Sequence, residues 1–366
     1  MDKINKFIAD TNKLVLASSV NPLNSRNSSI TRGFRAEAEA VALFSEAVRR
    51  YCTTLLTIAL RIQDIRKYEI KIQQELNQET DYFLEIASLF EQQIPPQSRE
   101  SLRALFRRLI GEYLFQSVLF KRFYEKPRGY PGDYYMFEMM YNNKPLSHGI
   151  GCYFDYYVFS HYLVRSVINR KNKMRNLLLS AISCSGGKAP CRILNIACGP
   201  SREVRDVVSR KFVNKKIEFT LLDQDVEGIR YSREKLAMAP DCVKIKFRQE
   251  NILKLLGFSG RDPSSRANNY NVVYSLGLVD YFRDSVLERF VGFCLSLLRP
   301  GGQLIVAICS TNNIGCYTAL RWLCEWNFYM RDPKVTVRML TKKNVFSKIR
   351  LEWEKNEQIF FIVITK

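Results

Sequence analysis

The stretch ILNIACGPSREV, Ile193 to Val204, runs residues suited to a buried strand into a turn of small residues and then directly into a helix start. Ala197, Cys198, Gly199 and Pro200 lack bulk, so a ligand can approach the backbone closely, and Gly199 can take positive φ. Glu203 falls in the opening helical turn, where a carboxylate suits the dipole. The diphosphate pattern G-x-G-x-x-G is absent, because position 201 is Ser and position 204 is Val; the ligand expected here carries no pyrophosphate. Asp223 ends a second run, TLLDQD, about twenty residues further on, where an acid can accept both hydroxyls of a ribose. Asp225 is read as the cap of the next helix, with Gln224 between the two acids. A third run ends at Asn251 and Ile252, which suit the edge and the face of an adenine; a loop residue without duty is the other reading of Asn251. A fourth ends at Ser275 and Gly277.

These residues sit at the ends of strand-like runs: RILNIAC, IEFTLLD, VKIKFRQ, YNVVYSL and GQLIVAICS, alternating with helix-like segments. Near-continuous apolar strands separated by helices predict a parallel sheet covered on both faces. KIRLEWEKNEQ and IFFIVITK predict two more strands, antiparallel to each other. The expected fold class is therefore α/β: a doubly wound, mostly parallel seven-stranded sheet with an antiparallel edge strand, preceded by an N-terminal helical domain. Ligands of such a sheet bind at the carboxyl ends of its strands.

Upstream, residues 1–33 are polar and read as a flexible leader. Residues 34–125 read as the helical domain, with apolar residues at helical spacing from Leu43 to Ile65. Pro95 and Pro96 break that pattern, and Ser98 is the expected N-cap of the next helix. There Leu102, Leu105, Phe106, Leu109, Ile110, Tyr113 and Leu114 form one stripe, with Arg103, Arg107 and Arg108 off it. These helices are expected to pack on each other or on a second copy, as a homodimer. Residues 126–180 read as a linking loop and helical cap over the ligand site, and 181–366 as the sheet domain.

Composition narrows the function. The ten Cys show no C-x-x-C spacing, and two His, His148 and His161, give a metal site or a Ser-His-Asp triad little material; no metal is expected. No apolar run is long enough to span a bilayer and the first residues lack a signal core, so the expected compartment is the cytoplasm. The formal charge of +20 fits an acidic partner, but the Lys and Arg are spread along the chain, and a generally basic solvated surface explains them equally well.

ILNIACGP, Asp223, ENIL, NVVYSLGLVDYF and LRPGGQLIVA, in this order and spacing, resemble the class I, Rossmann-like S-adenosylmethionine-dependent methyltransferases, over about half of the chain. One departure is Asn195, where that class often has an acid contacting the methionine part of the donor. KPRGYPGDYYMFEMMY, Lys126 to Tyr141, with GLVDYF and EWNFYMRD, is similar to a bacterial group with a PRGYxGDY motif that includes proposed synthases of hydroxy fatty acid methyl ester signals. The resemblance implies S-adenosylmethionine as cofactor, S-adenosylhomocysteine as product, and a cofactor set of Ala197, Cys198, Gly199, Pro200, Glu203, Asp223, Gln224, Asn251, Ile252, Ser275 and Gly277. The PRGYPGDY loop is expected to close over the cofactor, with Tyr130 and Asp133 at its methionine end and Arg128 nearby; a rigid connector between domains is the other reading.

The implied reaction is methyl transfer to a small molecule, a carboxylate or other O or N acceptor of a fatty-acid-like or secondary metabolite. A carboxylate needs no base and would be held by Arg128, Arg165, Arg170 or Arg331. A hydroxyl or ammonium needs a proton removed, for which Asp133, Asp280, Tyr281, Glu325 and Tyr329 are candidates. Tyr130, Asp133 and Tyr281 are the expected catalytic residues, and Arg128, Tyr134, Arg165, Arg170 and Tyr329 the expected substrate contacts. Nucleic-acid methylation would rest on charge alone, because SLGL stands where base-amine methyltransferases carry an Asn/Asp-Pro-Pro-Tyr turn. Protein methylation and a non-catalytic interaction module on the same fold are the remaining alternatives.

Overall fold

A computed structural model describes the backbone of residues 2–19, 28–63, 68–186, 189–210, 215–258, 269–312 and 314–366. Helices α1 (Asp2–Ser19), α2 (Ser28–Gln63), α3 (Ile70–Gln93), α4 (Pro96–Leu114), α5 (Val118–Glu125), α6 (Tyr134–Asn142), α7 (Gly149–Ser160) and α8 (Tyr162–Cys184) precede the sheet. Then follow β1 (Cys191–Ile196), α9 (Arg202–Val208), β2 (Ile217–Asp223), α10 (Val226–Lys235), β3 (Val243–Gln249), β4 (Tyr270–Leu276), α11 (Asp284–Leu297), β5 (Leu298–Cys309), α12 (Ile314–Cys324), α13 (Pro333–Lys343), β6 (Lys348–Trp353) and β7 (Ile359–Thr365). The chain forms two interleaved units. One comprises Met1–Pro131, Asn143–His161 and Ile314–Asn327; the other comprises Gly132–Asn142, Tyr162–Asn313 and Phe328–Lys366.

The first unit is helical and its core is aromatic. Phe83 and Phe106 stack at 4.1 Å, and Trp322 of α12 meets both edge-on at 5.5 Å. The segment expected to be an irregular leader contains α1, whose Phe7 ring lies 6.3 Å from those of Phe44 and Phe106. Ile4, Phe7, Ile8 and Thr11 recur at helical spacing, but the polar residues between them mask the stripe in the composition. Residues 20–27 of the expected leader lie outside the described residues. Ser98 does not cap α4: the helix starts at Pro96, a position where the missing N–H costs nothing. Arg103 and Arg107 are buried rather than turned to solvent. Arg103 pairs with Glu91 and Glu100, and Arg107 with Glu100 while donating to the Arg321 carbonyl at 2.7 Å, so charge and hydrogen bonding compensate the burial.

The second unit is a seven-stranded sheet in the order β3-β2-β1-β4-β5-β7-β6. Strands β1 to β5 run parallel, β7 is antiparallel to both of its neighbours, and β6 forms the edge. Chain order reverses between β1 and β4, so the crevice for a ligand opens beyond their carboxyl ends. Alternation along the strands sends Leu194, Ile196, Leu222 and Val273 into an apolar layer with Phe290 and Val291 of α11. The opposite face receives Asn195 and Tyr274, which are partners in the β1–β4 register and are both buried. Among the described residues no helix is long and apolar enough to cross a membrane.

Candidate active site at the strand crossover

The β1 turn has unusual backbone geometry. Ala197, Gly199 and Ser201 take φ of 57°, 50° and 50°, alternating with Cys198 and Pro200 before α9 begins. Two non-glycine residues in the left-handed region cost of order 1–3 kcal/mol each, strain that persists only where the surroundings enforce it. The enforcement here is a set of hydrogen bonds. Cys198 N–H donates to the Leu222 carbonyl at 3.0 Å, Gly199 N–H to Asp223 Oδ2 at 2.8 Å, and Ser232 Oγ to the Gly199 carbonyl at 2.8 Å. A Cβ added at Gly199 would meet nothing within 4 Å, so the turn faces open space.

Asp223 joins this turn to α10, since its Oδ1 accepts the Asp225 N–H at 2.9 Å. Burial lifts its carboxyl above the usual range in spite of those backbone bonds. Asp225 caps α10 by accepting from the Glu227 N–H. Glu203 is drawn inward: its Oε1 accepts from Asn195 Nδ2 at 3.0 Å and from the Tyr274 hydroxyl at 2.8 Å, and desolvation raises its pKa. The buried Cys198 thiol is held well above its ordinary value by the same effect, which keeps it from acting as a nucleophile.

Beyond β3, Asn251 is locally engaged. Its carbonyl accepts the Leu253 N–H and its amide donates to Gln224 Oε1, each at 2.9 Å. Ile252 packs into the apolar layer with Leu194, Ile196 and Leu222 instead of standing at an open adenine slot, because the helical turn that starts there rotates it inward. At the end of β4, Ser275 Oγ donates to the Ile196 carbonyl at 2.8 Å and bridges the switch point. Gly277 has φ of 83°, so its backbone calls for glycine, and a Cβ there would lie 2.8 Å from Arg170 Nη1 and push the guanidinium aside.

Arg170 is therefore at the crown, over the Phe137 ring at 5.5 Å and hydrogen-bonded with the Tyr141 hydroxyl. Arg165 is not brought there: it is exposed, whereas Val164, Val167, Arg170 and Met174 are among the buried positions of α8. Arg331, expected to hold a carboxylate, instead clamps the turn after β4. Its guanidinium donates to the Val279 and Phe282 carbonyls and pairs with Asp284. Asp280 is buried and accepts the Cys309 N–H at 3.0 Å, with desolvation raising its pKa. Tyr281 and Tyr329 flank it at 37% and 54% exposure, and the Tyr329 N–H donates to the Asp280 carbonyl at 2.7 Å.

Asp133 is buried and caps α6, its Oδ1 accepting the Met136 N–H at 2.9 Å. Glu138 anchors the same helix to α9 through Arg202 at 2.9 Å and Arg205 at 2.8 Å. Tyr134 lies against Gly228, its ring 5.3 Å from that of Tyr231. Arg128, Tyr130 and Glu325 belong to the first unit. Among the described residues no cluster of three or more His, Cys, Asp or Glu could hold a metal ion. Tyr274, Tyr141 and Glu138 lie inside the quoted motifs NVVYSLGLVDYF and KPRGYPGDYYMFEMMY, but nothing in those runs singles them out; the strand crossover and the seating of α6 bring them in.

No protein-family model and no curated protein matches the sequence. Among solved structures the chain is similar to a possible exported protein from Bordetella parapertussis, at 13% identity over 93% of this chain and 99% of that one, with a TM-score of 0.50, a likeness of fold. It is also similar to the CurJ carbon methyltransferase, at 13% identity over 100% and 98% of the two chains with a TM-score of 0.46. A third similar structure is the magnesium protoporphyrin IX methyltransferase of Synechocystis PCC 6803 with bound SAH, at 9% identity over 56% and 87% with a TM-score of 0.39.

Proposed function

We propose that the chain is an S-adenosylmethionine-dependent methyltransferase acting on a small molecule. The observation that carries this reading is the pairing of the Gly199 turn with Asp223 at the switch point: an open, bulk-free backbone beside a buried acid whose remaining lone pairs suit ribose hydroxyls. The turn lacks a pyrophosphate pattern, which fits an adenosyl group without phosphates. Ala197 to Pro200 would line it and Asp223 would hold the ribose. When bound, the donor supplies an electrophilic methyl on a sulfonium. The work left to the chain is alignment of the acceptor and exclusion of water.

Two acids expected as bases have other duties, Asp133 as a helix cap and Asp280 as acceptor for Cys309. A carboxylate acceptor, already nucleophilic, needs neither, and this favours carboxyl methylation of a fatty-acid-like or other metabolite. The half-exposed Tyr281 and Tyr329 are the residues we place against that acceptor.

The test is incubation of the purified protein with methyl-labelled S-adenosylmethionine and a cell extract, followed by fractionation. The expected result is label in small molecules, released as methanol by mild base as from an ester. Label in protein or nucleic acid would overturn the substrate assignment, and no transfer together with no binding of the donor would overturn the enzyme.

A further inference from the structure

The segment from Pro333 to Leu351, which holds α13, the loop after it and the first part of β6, carries six basic residues and no acid. Two of the six are neutralised from outside: Lys343 pairs with Glu288 at 3.0 Å and Arg350 with Glu352 at 2.8 Å. The other four, Lys334, Arg338, Lys342 and Lys348, are exposed and form no ion pair among the described residues.

Three of these cations share one face of α13. Lys334, Arg338 and Lys342 follow at intervals of four and so stand in a row, while Pro333, Thr336 and Leu340 are the buried positions of the helix. Like charges at that spacing destabilise a helix. Lys334 also lies in the first turn, the end whose dipole disfavours a cation. The row therefore does nothing for the fold that a row of mixed charge would not do better.

Apolar side chains flank it at both ends. Val335 is 61% exposed and Val345, in the loop after the helix, 96%. A single exposed valine needs no explanation. Two of them bracketing an acid-free row of unpaired cations make a surface that is positive and apolar at once. A nucleic acid would answer the cations and leave the valines in water. An anionic bilayer answers both, its headgroups meeting the cations and its acyl boundary taking the valines.

We propose that the exposed face of α13, with the loop to β6, docks on an anionic lipid surface. The proposal goes beyond the methyltransferase reading and stands without it.

The test is co-sedimentation of the full chain with vesicles of phosphatidylcholine alone and of phosphatidylcholine with about one-third phosphatidylserine. Binding should require the phosphatidylserine. Each cation at such a surface contributes about fivefold to the partition coefficient, so Arg338→Gln with Lys342→Gln should lower it about 25-fold. Lys244→Gln with Lys246→Gln removes the same charge from β3, at the opposite edge of the sheet, and should change it by less than about twofold. Val345→Ser should lower it about tenfold by removing apolar insertion. All five positions are exposed, so these substitutions leave the core untouched. Equal binding to neutral vesicles, or binding to neither, would overturn the proposal. Equal losses in the two double variants would overturn it too, by assigning the attraction to the overall charge of +20. Val345→Ser that sediments like the wild type would do the same, and a DNA duplex held through Arg338 and Lys342 would then be the partner.

Discussion

Asp223 accepts the Gly199 N–H at 2.8 Å from across the strand crossover, while its other oxygen takes the Asp225 N–H at 2.9 Å. One carboxylate thus fixes the β1 turn and the entry to α10. A carboxylate offers about four lone-pair sites, so the backbone donors, from Gly199, Gln224 and Asp225, leave capacity for a ligand hydroxyl. Asp223→Ala should lower affinity for S-adenosylhomocysteine about 10- to 100-fold, measured by calorimetry. An unchanged dissociation constant would remove Asp223 from the site.

Glu203 ties the same region to pH. Its folded pKa is raised from the ordinary 4.5, burial outweighing the bond from Tyr274. A carboxyl raised in this way adds stability below its unfolded value and loses that addition as pH climbs through its folded value. Its share of stability should therefore fall as pH rises upward from about 4.5. Glu203→Gln keeps the shape and removes the titration, so urea unfolding over a pH series should show a flatter decline in the variant. Superimposable pH profiles would assign the decline to the other buried acids with raised values, Glu91, Asp223 and Asp280.

Much of this architecture is legible from one sequence because strands buried on both faces leave a plain trace. IEFTLLD and YNVVYSL are near-continuous apolar runs, each ending in the residues that line the crevice. Asp225 is readable as a cap because an Asp one residue before a helical run has that local use. What escapes reading is set by contacts distant in sequence. Tyr274 and Glu203 lie 71 positions apart, and only the pairing of β1 with β4 brings them together. Arg103 and Arg107 fall off the apolar stripe of their helix, and their burial is not readable there because Glu91 and the Arg321 carbonyl, which compensate it, lie on other helices. Ile252 looks like an adenine contact until the helical turn it enters carries it into the apolar layer.

Arg331 separates a structural guanidinium from a binding one. It is buried and donates to two main-chain carbonyls in the turn after β4, with Asp284 as its ionic partner. Asp284 is exposed, so the ion pair itself adds little. The stranded carbonyls are the larger cost. Arg331→Met should lower unfolding stability by about 2–4 kcal/mol, seen as a reduced urea midpoint. Where the variant is still folded, its affinity for S-adenosylhomocysteine should match that of the wild type. Normal stability with lost transfer activity would instead place Arg331 on the substrate.

Asp133 offers a choice between cap and base that one pair of substitutions resolves. Its carboxylate oxygen receives the Met136 N–H at 2.9 Å, the reach of an N-cap to the third residue of its helix. Asn caps nearly as well as Asp but cannot take up a proton, whereas Ala does neither. If the cap is its main duty, Asp133→Asn should keep stability within about 0.5 kcal/mol and keep the rate of methyl transfer, and Asp133→Ala should lose about 1 kcal/mol. A general base contributes about 10²- to 10⁴-fold to the rate, so a loss of that size in Asp133→Asn with stability intact would make Asp133 catalytic. Denaturant unfolding and single-turnover transfer of labelled methyl, run on both variants, read the two duties separately because the cap acts on the fold and the base on the rate.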